Sequence, residues 1–283
     1  MGRPLSPGSA ALERGGTIVA YEVRGTGPAA IVVPYLEGWD RVALRIVFRP
    51  LERILTLVYV DPPGVGRSGP PVTPEDRTAA RIVRDLEAIR IRLGLQRTGL
   101  VAHGSGGRVG LIYAAGHPAG TCFAVLTGVS AANEFEAGDP SAFDREDVAV
   151  AWNAARRQPT NEAFWAWHRA MASLEPASAG LRRALGRVER ESAGIDPARL
   201  PISERELQEL DARPLLRLIS APSIAIAGGR DAVVPARLQR NLAHALPHAD
   251  YVEFPRSGHY PMVQERDRSL SRVRTFVRRV VAD

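Results

Sequence analysis

The segment VAHGSGGRVGLIYAAGHP, residues 101 to 118, has the pattern of a strand-to-helix turn that presents a reactive side chain. In a small-x-nucleophile-x-Gly turn, the nucleophile lies on a sharp bend where its side chain is exposed. In one alignment, Ala102 and Gly106 are the small residues and Gly104 holds the nucleophile position. In the other, Ser105 is the nucleophile and the bulky His103 stands where strand and helix must approach closely. The sequence favours the first alignment, so the turn is predicted to have glycine, and therefore no hydroxyl oxygen, at the nucleophile position.

Three further segments follow the same chain order. YVDPPGVGRSG (59–69) comes at the end of a predicted strand, AGGRDAVVP (227–235) contains Asp231, and SGHYP (257–261) contains His259. Together with a His-Pro pair thirteen and fourteen residues after Gly104, these motifs resemble those of the α/β-hydrolase fold superfamily, nearest to its capped prolyl-aminopeptidase-like and esterase-like members. The resemblance covers nearly the whole chain outside a helical insertion. The chain departs from the family pattern at Gly104, where a nucleophilic Ser is usual, and at Pro63, where Arg is usual.

The resemblance implies a role for each matched residue. Asp231 corresponds to the acid that orients an imidazole, and His259 corresponds to the base. The backbone N–H of Ser105, after the nucleophile position, corresponds to one oxyanion donor. The loop PYLEGW (34–39) departs from the usual His-Gly and offers Leu36, or Tyr35, as the second donor. Only the acyl-accepting oxygen is missing from this set.

Three functions are compatible with such a site. The leading hypothesis is an enzyme that uses the His259–Asp231 pair as a general base on a small, largely apolar organic substrate, such as a secondary metabolite. Elimination, cyclisation or direct water activation would then proceed without a covalent intermediate. The second is a serine hydrolase of the prolyl-aminopeptidase or esterase type, inactivated by Ser-to-Gly at position 104. The third is a non-catalytic ligand-binding protein on the same fold.

The substrate pocket is predicted from the insertion, because such insertions cover an apolar pocket in this family. Its segment NEAFWAWHRAM (161–171) supplies Trp165 and His168 as candidate substrate contacts. Gly64, Gly66 and Gly69 form a G-x-G-x-x-G pattern, but it runs into PPVTP and does not open a helix, so no dinucleotide site is expected. No cofactor and no metal site are predicted, since His244 and His248 form no metal set with a carboxylate at ligand spacing.

Short β-branched runs alternate with longer helical patterns, which predicts an α/β fold with a mostly parallel central sheet flanked by helices. Residues 131–215 break the alternation and are predicted as an inserted helical cap, with residues 1–130 and 216–283 as the core. The expected strands are 17–23, 29–33, 54–61, 98–103, 122–127, 223–227 and 250–254, and the expected core helices are 39–53, 74–93, 106–117, 235–246 and 264–281.

Composition narrows the function classes further. The 283 residues carry a formal charge of +6, and all 37 basic residues are Arg. The absence of Lys excludes Schiff-base chemistry and a Walker A loop. The arginines are scattered among acids along the chain, so nucleic-acid binding is not expected. A single Cys, the lack of an apolar leader and the lack of a long apolar run favour a cytoplasmic protein with no membrane partner and leave homo-oligomer formation open.

Overall fold

The computed structural model describes residues 5–132, 146–157, 160–173, 175–176, 178–192 and 202–282. In this part of the chain, eight strands form one sheet in the order β1-β2-β4-β3-β5-β6-β7-β8. The pairs β1–β2 and β2–β4 are antiparallel, and all other pairs are parallel. The strands are β1 (Gly8–Arg14), β2 (Thr17–Gly25), β3 (Ala29–Val32), β4 (Thr56–Asp61), β5 (Thr98–His103), β6 (Thr121–Thr127), β7 (Ser223–Gly228) and β8 (Ala249–Phe254).

Helices cover both faces of the sheet. They are α1 (Arg41–Phe48), α2 (Ala79–Arg92), α3 (Gly106–Gly116), α4 (Glu146–Arg157), α5 (Asn161–Ala172), α6 (Ala179–Glu191), α7 (Glu204–Glu209), α8 (Ala236–Ala245), α9 (Pro261–Gln264) and α10 (Arg266–Ala282). Because parallel strands are buried on both faces, β4, β5 and β7 are buried along their whole length and rich in apolar residues. The predicted fold class is confirmed.

The core has one cluster on each face of the sheet. Leu86 of α2 and Val109 of α3 are fully buried in the first cluster. Leu44 of α1 and Val273 of α10 are fully buried in the second. The sheet is therefore held between two helical layers, and the ends of its parallel strands are fixed in space where the candidate site residues lie.

The sequence prediction omitted β1. This strand is an edge strand whose side chains are mostly exposed or half-buried, so it has no apolar run to mark it. The pair Gly15-Gly16 between Arg14 and Thr17 is a hairpin signal that would have revealed it.

Three predicted helices are each divided in two. Residues 39–53 form α1 and then a 3-10 turn (Arg49–Arg53). Residues 74–93 form a short 3-10 turn (Pro74–Arg77) and then α2, because Thr78 is extended and caps α2 by accepting the backbone N–H of Arg81. The last predicted helix is preceded by α9 and begins at Arg266.

The insertion between β6 and β7 contributes α4 to α7 and no strand among its described residues. The stretches 133–145, 158–159 and 193–201 of this insertion lie outside the described residues. Among the described helices, none is both long and apolar enough to cross a bilayer.

Candidate active site

The bend between β5 and α3 falls at Gly104. Its φ of +53° lies in the left-handed region, which glycine adopts without strain, whereas Ser105 has a helical φ of −61°. A β-carbon built on Gly104 would lie 3.5 Å from Nε2 of His259 and 3.0 Å from Cε1 of Tyr35. Position 104 therefore faces the imidazole, and we call the space beside it the notch.

His259 and Asp231 come from the loops that follow β8 and β7. Oδ2 of Asp231 lies 2.9 Å from Nδ1 of His259, and both side chains are buried. Oδ1 of Asp231 accepts the backbone N–H groups of Val233 and Val234, both at 2.8 Å, which fixes the carboxylate. Because Nδ1 faces a carboxylate it carries the proton, so the lone pair of Nε2 points to the notch.

The electrostatics of His259 suit a base. Burial disfavours its charged form, but the adjacent Asp231 carboxylate opposes this effect, with further support from Glu175 and Glu37, and the pKa of His259 is raised above its usual value. No hydrogen bond from the described residues reaches Nε2. The nitrogen is therefore available to a proton from a bound molecule.

Ser105 is turned to another partner. Its hydroxyl donates to the carboxylate of Glu37 and accepts the backbone N–H of Leu36 at 3.2 Å. Within the described part of the chain no hydrogen bond joins Ser105 to His259. The side chain of Ser105 thus holds the loop that contains Leu36, and an anion bound by the Leu36 N–H would compete with that hydroxyl.

Tyr35 and His103 form a fixed chain behind the notch. Nε2 of His103 lies 2.9 Å from the backbone carbonyl oxygen of His259, so Nε2 carries the proton and donates it. Nδ1 is then an acceptor, and the Tyr35 hydroxyl donates to it. Burial holds the pKa of His103 well below the usual histidine value, which keeps the ring neutral. His103 positions both the His259 backbone and the Tyr35 ring.

His168 and Trp165 of α5 both contact Trp39, but only His168 lines the cavity. The indole N–H of Trp39 donates to Nε2 of His168 at 2.7 Å, and Nδ1 of His168 donates to the carbonyl oxygen of Phe164 at 2.9 Å. Burial lowers the pKa of His168 to about 3. His168 lines the cavity as a neutral link between the insertion and the loop after β3 and does not act as a base. Trp165 packs against the Trp39 ring at a centroid distance of 6.0 Å and is absent from the cavity lining. The residues of α5 that line the cavity are Trp167, His168, Met171 and Ala172.

Glu175, just after α5, reaches the loop that carries His259. Its carboxylate accepts the backbone N–H of His259 at 2.9 Å and the side-chain amide of Gln264 at 3.1 Å. A β-carbon on Gly258 would overlap Glu175, so the glycine is what permits this approach. Burial raises the pKa of Glu175, with the nearby His259 opposing the shift.

These groups surround a cavity of about 190 Å³. Its apolar and aromatic walls include Tyr35, Trp39, Trp167, Met171, Leu185, Leu207, Val233, Val234 and Tyr260, and its polar lining includes Glu37, Ser105, Arg108, Ser130, His168, Glu175, Gln208 and His259. Over the described residues, no group of three or more His, Cys, Asp and Glu side chains is arranged to hold a metal ion.

Comparison with known proteins agrees with this architecture. A family model described as alpha/beta hydrolase fold matches residues 36–265, and the chain belongs to this family. It is thereby a member of the α/β-hydrolase superfamily of enzymes. The pimeloyl-[acyl-carrier protein] methyl ester esterase of Chromobacterium violaceum is 33% identical over 91% of this chain and 94% of its own length.

Two further relatives lie in the same superfamily. The proline iminopeptidase of Levilactobacillus brevis is 25% identical over 82% of this chain and 79% of its own length. An alpha/beta fold family hydrolase from Bacillus anthracis str. Sterne has a similar structure, with a TM-score of 0.80 and 22% identity over 97% of this chain and 99% of that chain. These matches confirm the predicted superfamily.

The sequence motifs omitted several residues that line the site. Glu37 and Trp39 lie in the loop after β3 where the family pattern is lost, and Glu175 lies in the insertion. No motif marks them, because the fold alone brings these segments beside β5, β7 and β8. The run PYLEGW, with one carboxylate among apolar residues, is the signal that could have identified Glu37.

Proposed function

We propose that this protein is an α/β-hydrolase-fold enzyme that uses His259, oriented by Asp231, as a general base on a small and largely apolar organic substrate, without a serine nucleophile. The observation that supports it most directly is the notch: Nε2 of His259 faces a glycine at position 104. The nearest hydroxyl along the chain, that of Ser105, is bound to Glu37 instead.

This arrangement can move a proton but offers no oxygen to form an acyl-enzyme. His259 would take a proton from a carbon acid, from a hydroxyl that then attacks within the substrate, or from water. Asp231 would stabilise the resulting imidazolium, as in hydrolase triads. The N–H of Ser105 has no acceptor among the described residues and would stabilise negative charge on the substrate, together with the Leu36 N–H if Ser105 rotates away.

Tyr35 favours this reading over a serine hydrolase that has merely lost its serine. Its ring lies 3.0 Å from where a β-carbon at position 104 would be, so it occupies part of the space that a serine side chain would need. Its hydroxyl is held by His103, which resists a shift of the ring. The surroundings of residue 104 are thus fitted to glycine.

The cavity supports the substrate class. Aromatic and aliphatic side chains from the core and from the insertion make up most of its walls, and the polar groups include His259, Glu37 and Ser105. Pockets of this kind bind apolar bodies and orient them through a few polar contacts. A compact aromatic or aliphatic molecule with one acidic proton or one polar carbonyl fits this lining.

The test uses 5-nitrobenzisoxazole, a small aromatic carbon acid. A base takes its carbon-bound proton, those electrons form the nitrile, and the N–O bond breaks to release 2-cyano-4-nitrophenolate, which is coloured. Because no nucleophile is needed, this elimination reports the base alone. We expect His259→Ala to lower kcat/KM by about a hundredfold or more, the usual contribution of a positioned base.

The exposed His244 provides the matched control, since His244→Ala removes an imidazole far along α8 and should leave the rate unchanged. Intact-protein mass spectrometry after exposure to p-nitrophenyl butyrate should show no acylated wild-type protein. Equal elimination by wild type and His259→Ala, or an acyl group on Ser105, would overturn the proposal.

A further inference from the structure

A second concave surface lies on the outer side of α6, away from the active-site cavity. It lies between α6 on one side and α1 with the turn that follows it (49–53) on the other. Residues of α9 also line it. We call it the arginine groove, because eight arginines line it: Arg45, Arg49, Arg53, Arg182, Arg183, Arg187, Arg190 and Arg266. Its volume is about 1470 Å³.

The charge of this groove is strongly one-sided. Three glutamates also line it, which leaves a surplus of five positive charges against +6 for the entire chain. Each of these glutamates already has an arginine partner: Glu22 pairs with Arg41, Glu52 with Arg45 and Glu191 with Arg187. The other six arginines of the groove are exposed and form no ion pair within the described ranges. Such a set attracts an anionic partner.

Part of the floor of the groove is apolar. Val42 and Ile46 of α1 and Val263 of α9 contribute partly exposed apolar side chains, Met262 of α9 is a buried part of the lining, and α6 contributes the small residues Ala184 and Gly186 between its arginines. An α-helix with side chains is about 10 Å across and rises 5.4 Å per turn, so about three turns would fill this volume. The groove thus combines the size, the apolar floor and the basic rim that an amphipathic acidic helix requires.

Carboxylates match this surface better than nucleic acid does. Arginine forks bind carboxylates with two parallel hydrogen bonds. No aromatic side chain lines the groove in the described part of the chain, so it offers no platform on which bases could stack. A concave surface also excludes close contact with a flat bilayer.

We propose that the arginine groove is a docking site for an acidic amphipathic helix of a partner protein. Leu185 of α6 lines the active-site cavity while its neighbours Ala184 and Gly186 line the groove, so a docked helix would lie directly against one wall of the cavity. The partner is defined by its chemistry: glutamates or aspartates on two flanks of a helix and aliphatic residues on the face between them.

The test measures the binding of a fluorescein-labelled helical peptide of about four turns, with leucines on one face and glutamates on both flanks, by fluorescence anisotropy. The probes for comparison are the same peptide with Gln for every Glu, a single-stranded oligothymidylate, and phosphatidylglycerol vesicles. Reversal of two groove charges in Arg182→Glu/Arg183→Glu should weaken binding of the acidic peptide by about tenfold or more. Both arginines are exposed, so the folded structure should persist.

The matched control is Arg272→Glu/Arg278→Glu, which makes the same change in net charge at two exposed positions of α10 outside the groove. Retained affinity in this control, with loss in the groove variant, supports the proposal. Equal loss in both variants, no binding of the acidic peptide, equal binding of the Gln peptide, or tighter groove-dependent binding of the oligonucleotide or the vesicles would each overturn it.

Discussion

A strand-to-helix turn of this kind usually positions both a nucleophilic side chain and a backbone N–H that binds negative charge. At residue 104 the side chain is missing, and only the N–H remains. The left-handed backbone is retained and keeps the Ser105 N–H at the start of α3, while the nucleophile itself is absent. The base and one anion donor are thus positioned without a group that could be acylated.

Restoring the side chain tests this arrangement. Gly104→Ser should become labelled by a fluorophosphonate probe, because its hydroxyl would lie within reach of Nε2 of His259, and we expect the label in intact-protein mass spectra. The left-handed φ and the Tyr35 contact should reduce stability by about 1–3 kcal/mol. Gly104→Ala carries the same β-carbon without the oxygen and should stay unlabelled. Labelling of wild type at Ser105 would show that the turn works in the other register.

The pH dependence of the base has a definite sign. His259 must be neutral to accept a proton, and its pKa is raised, so kcat/KM for benzisoxazole elimination should be lost as pH falls through a value above the usual 6.5 or so of histidine. Asp231→Asn removes the carboxylate that raises the pKa of His259, while the burial that lowers this pKa remains. The acid limb of the pH–rate profile should therefore move to lower pH, and the rate should fall. Glu175→Gln should move the limb in the same direction.

A direct NMR titration of the His259 ring measures the pKa with which the acid limb of the rate profile is compared. Glu189→Gln, which removes an acidic charge on α6 from a pair with Arg169, should leave the limb in place. An acid limb that moves upward in Asp231→Asn would contradict the assigned electrostatics.

At the scale of elements, the site depends on the contact between α5 and the loop after β3. His168→Phe would remove the acceptor of the Trp39 indole N–H and leave a largely buried donor unpaired, which costs about 1–3 kcal/mol of unfolding free energy. Urea denaturation measures this loss. His168→Gln offers an amide oxygen to the indole and should recover part of the stability. Equal stability of His168→Phe and wild type would show that this hydrogen bond contributes little.

The elements of the core were predictable because they carry local signals. Buried strands such as β4 are continuous apolar runs, and α8 and α10 show helical periodicity. Gly104, Asp231 and His259 were identifiable from motifs of the resembling family. The roles of Glu175 and Tyr35 were harder to predict, because Glu175 acts through a backbone N–H and Tyr35, which the sequence offered only as a donor, contacts position 104 with its ring. Such contacts depend on how the insertion packs on the core, which no local pattern encodes.

At the scale of the whole molecule, the order of residues in the sequence does not show how the arginines cluster on the surface. The arginines are interleaved with acids along the chain, yet those of α6, of the segment 45–53 and of residue 266 converge on one groove. The acidic residues that alternate with these arginines in the sequence either point away from the groove or form ion pairs within it. A surface of this kind emerges only when separate segments are brought together by the sheet order.

Global stability should depend on the buried cluster at the end of β4. Asp61 is fully buried and accepts the backbone N–H groups of Arg41 at 2.7 Å and of Arg67 at 3.0 Å, as well as the Arg41 guanidinium. Asp61→Ala should therefore lower the free energy of unfolding by about 3–5 kcal/mol, because it removes the acceptor of the Arg41 and Arg67 backbone N–H groups and leaves the buried Arg41 guanidinium with Glu22 as its remaining partner. The exposed pair of Arg205 and Glu209 is the contrast: Glu209→Ala should change the same quantity by less than about 0.5 kcal/mol. Similar losses in the two variants would refute the assigned role of the cluster.

The glycine at the bend also bears on how such enzymes diverge. Glycine and serine codons can differ by a single base, so a serine hydrolase and the proton-transfer enzyme proposed above would be separated by one point mutation on this scaffold. The aromatic ring packed against that bend makes the reverse step mildly unfavourable. A lineage that acquired Gly104 and then the Tyr35 ring would therefore tend to keep the proposed proton-transfer chemistry. His259 and Asp231 could stay in place throughout.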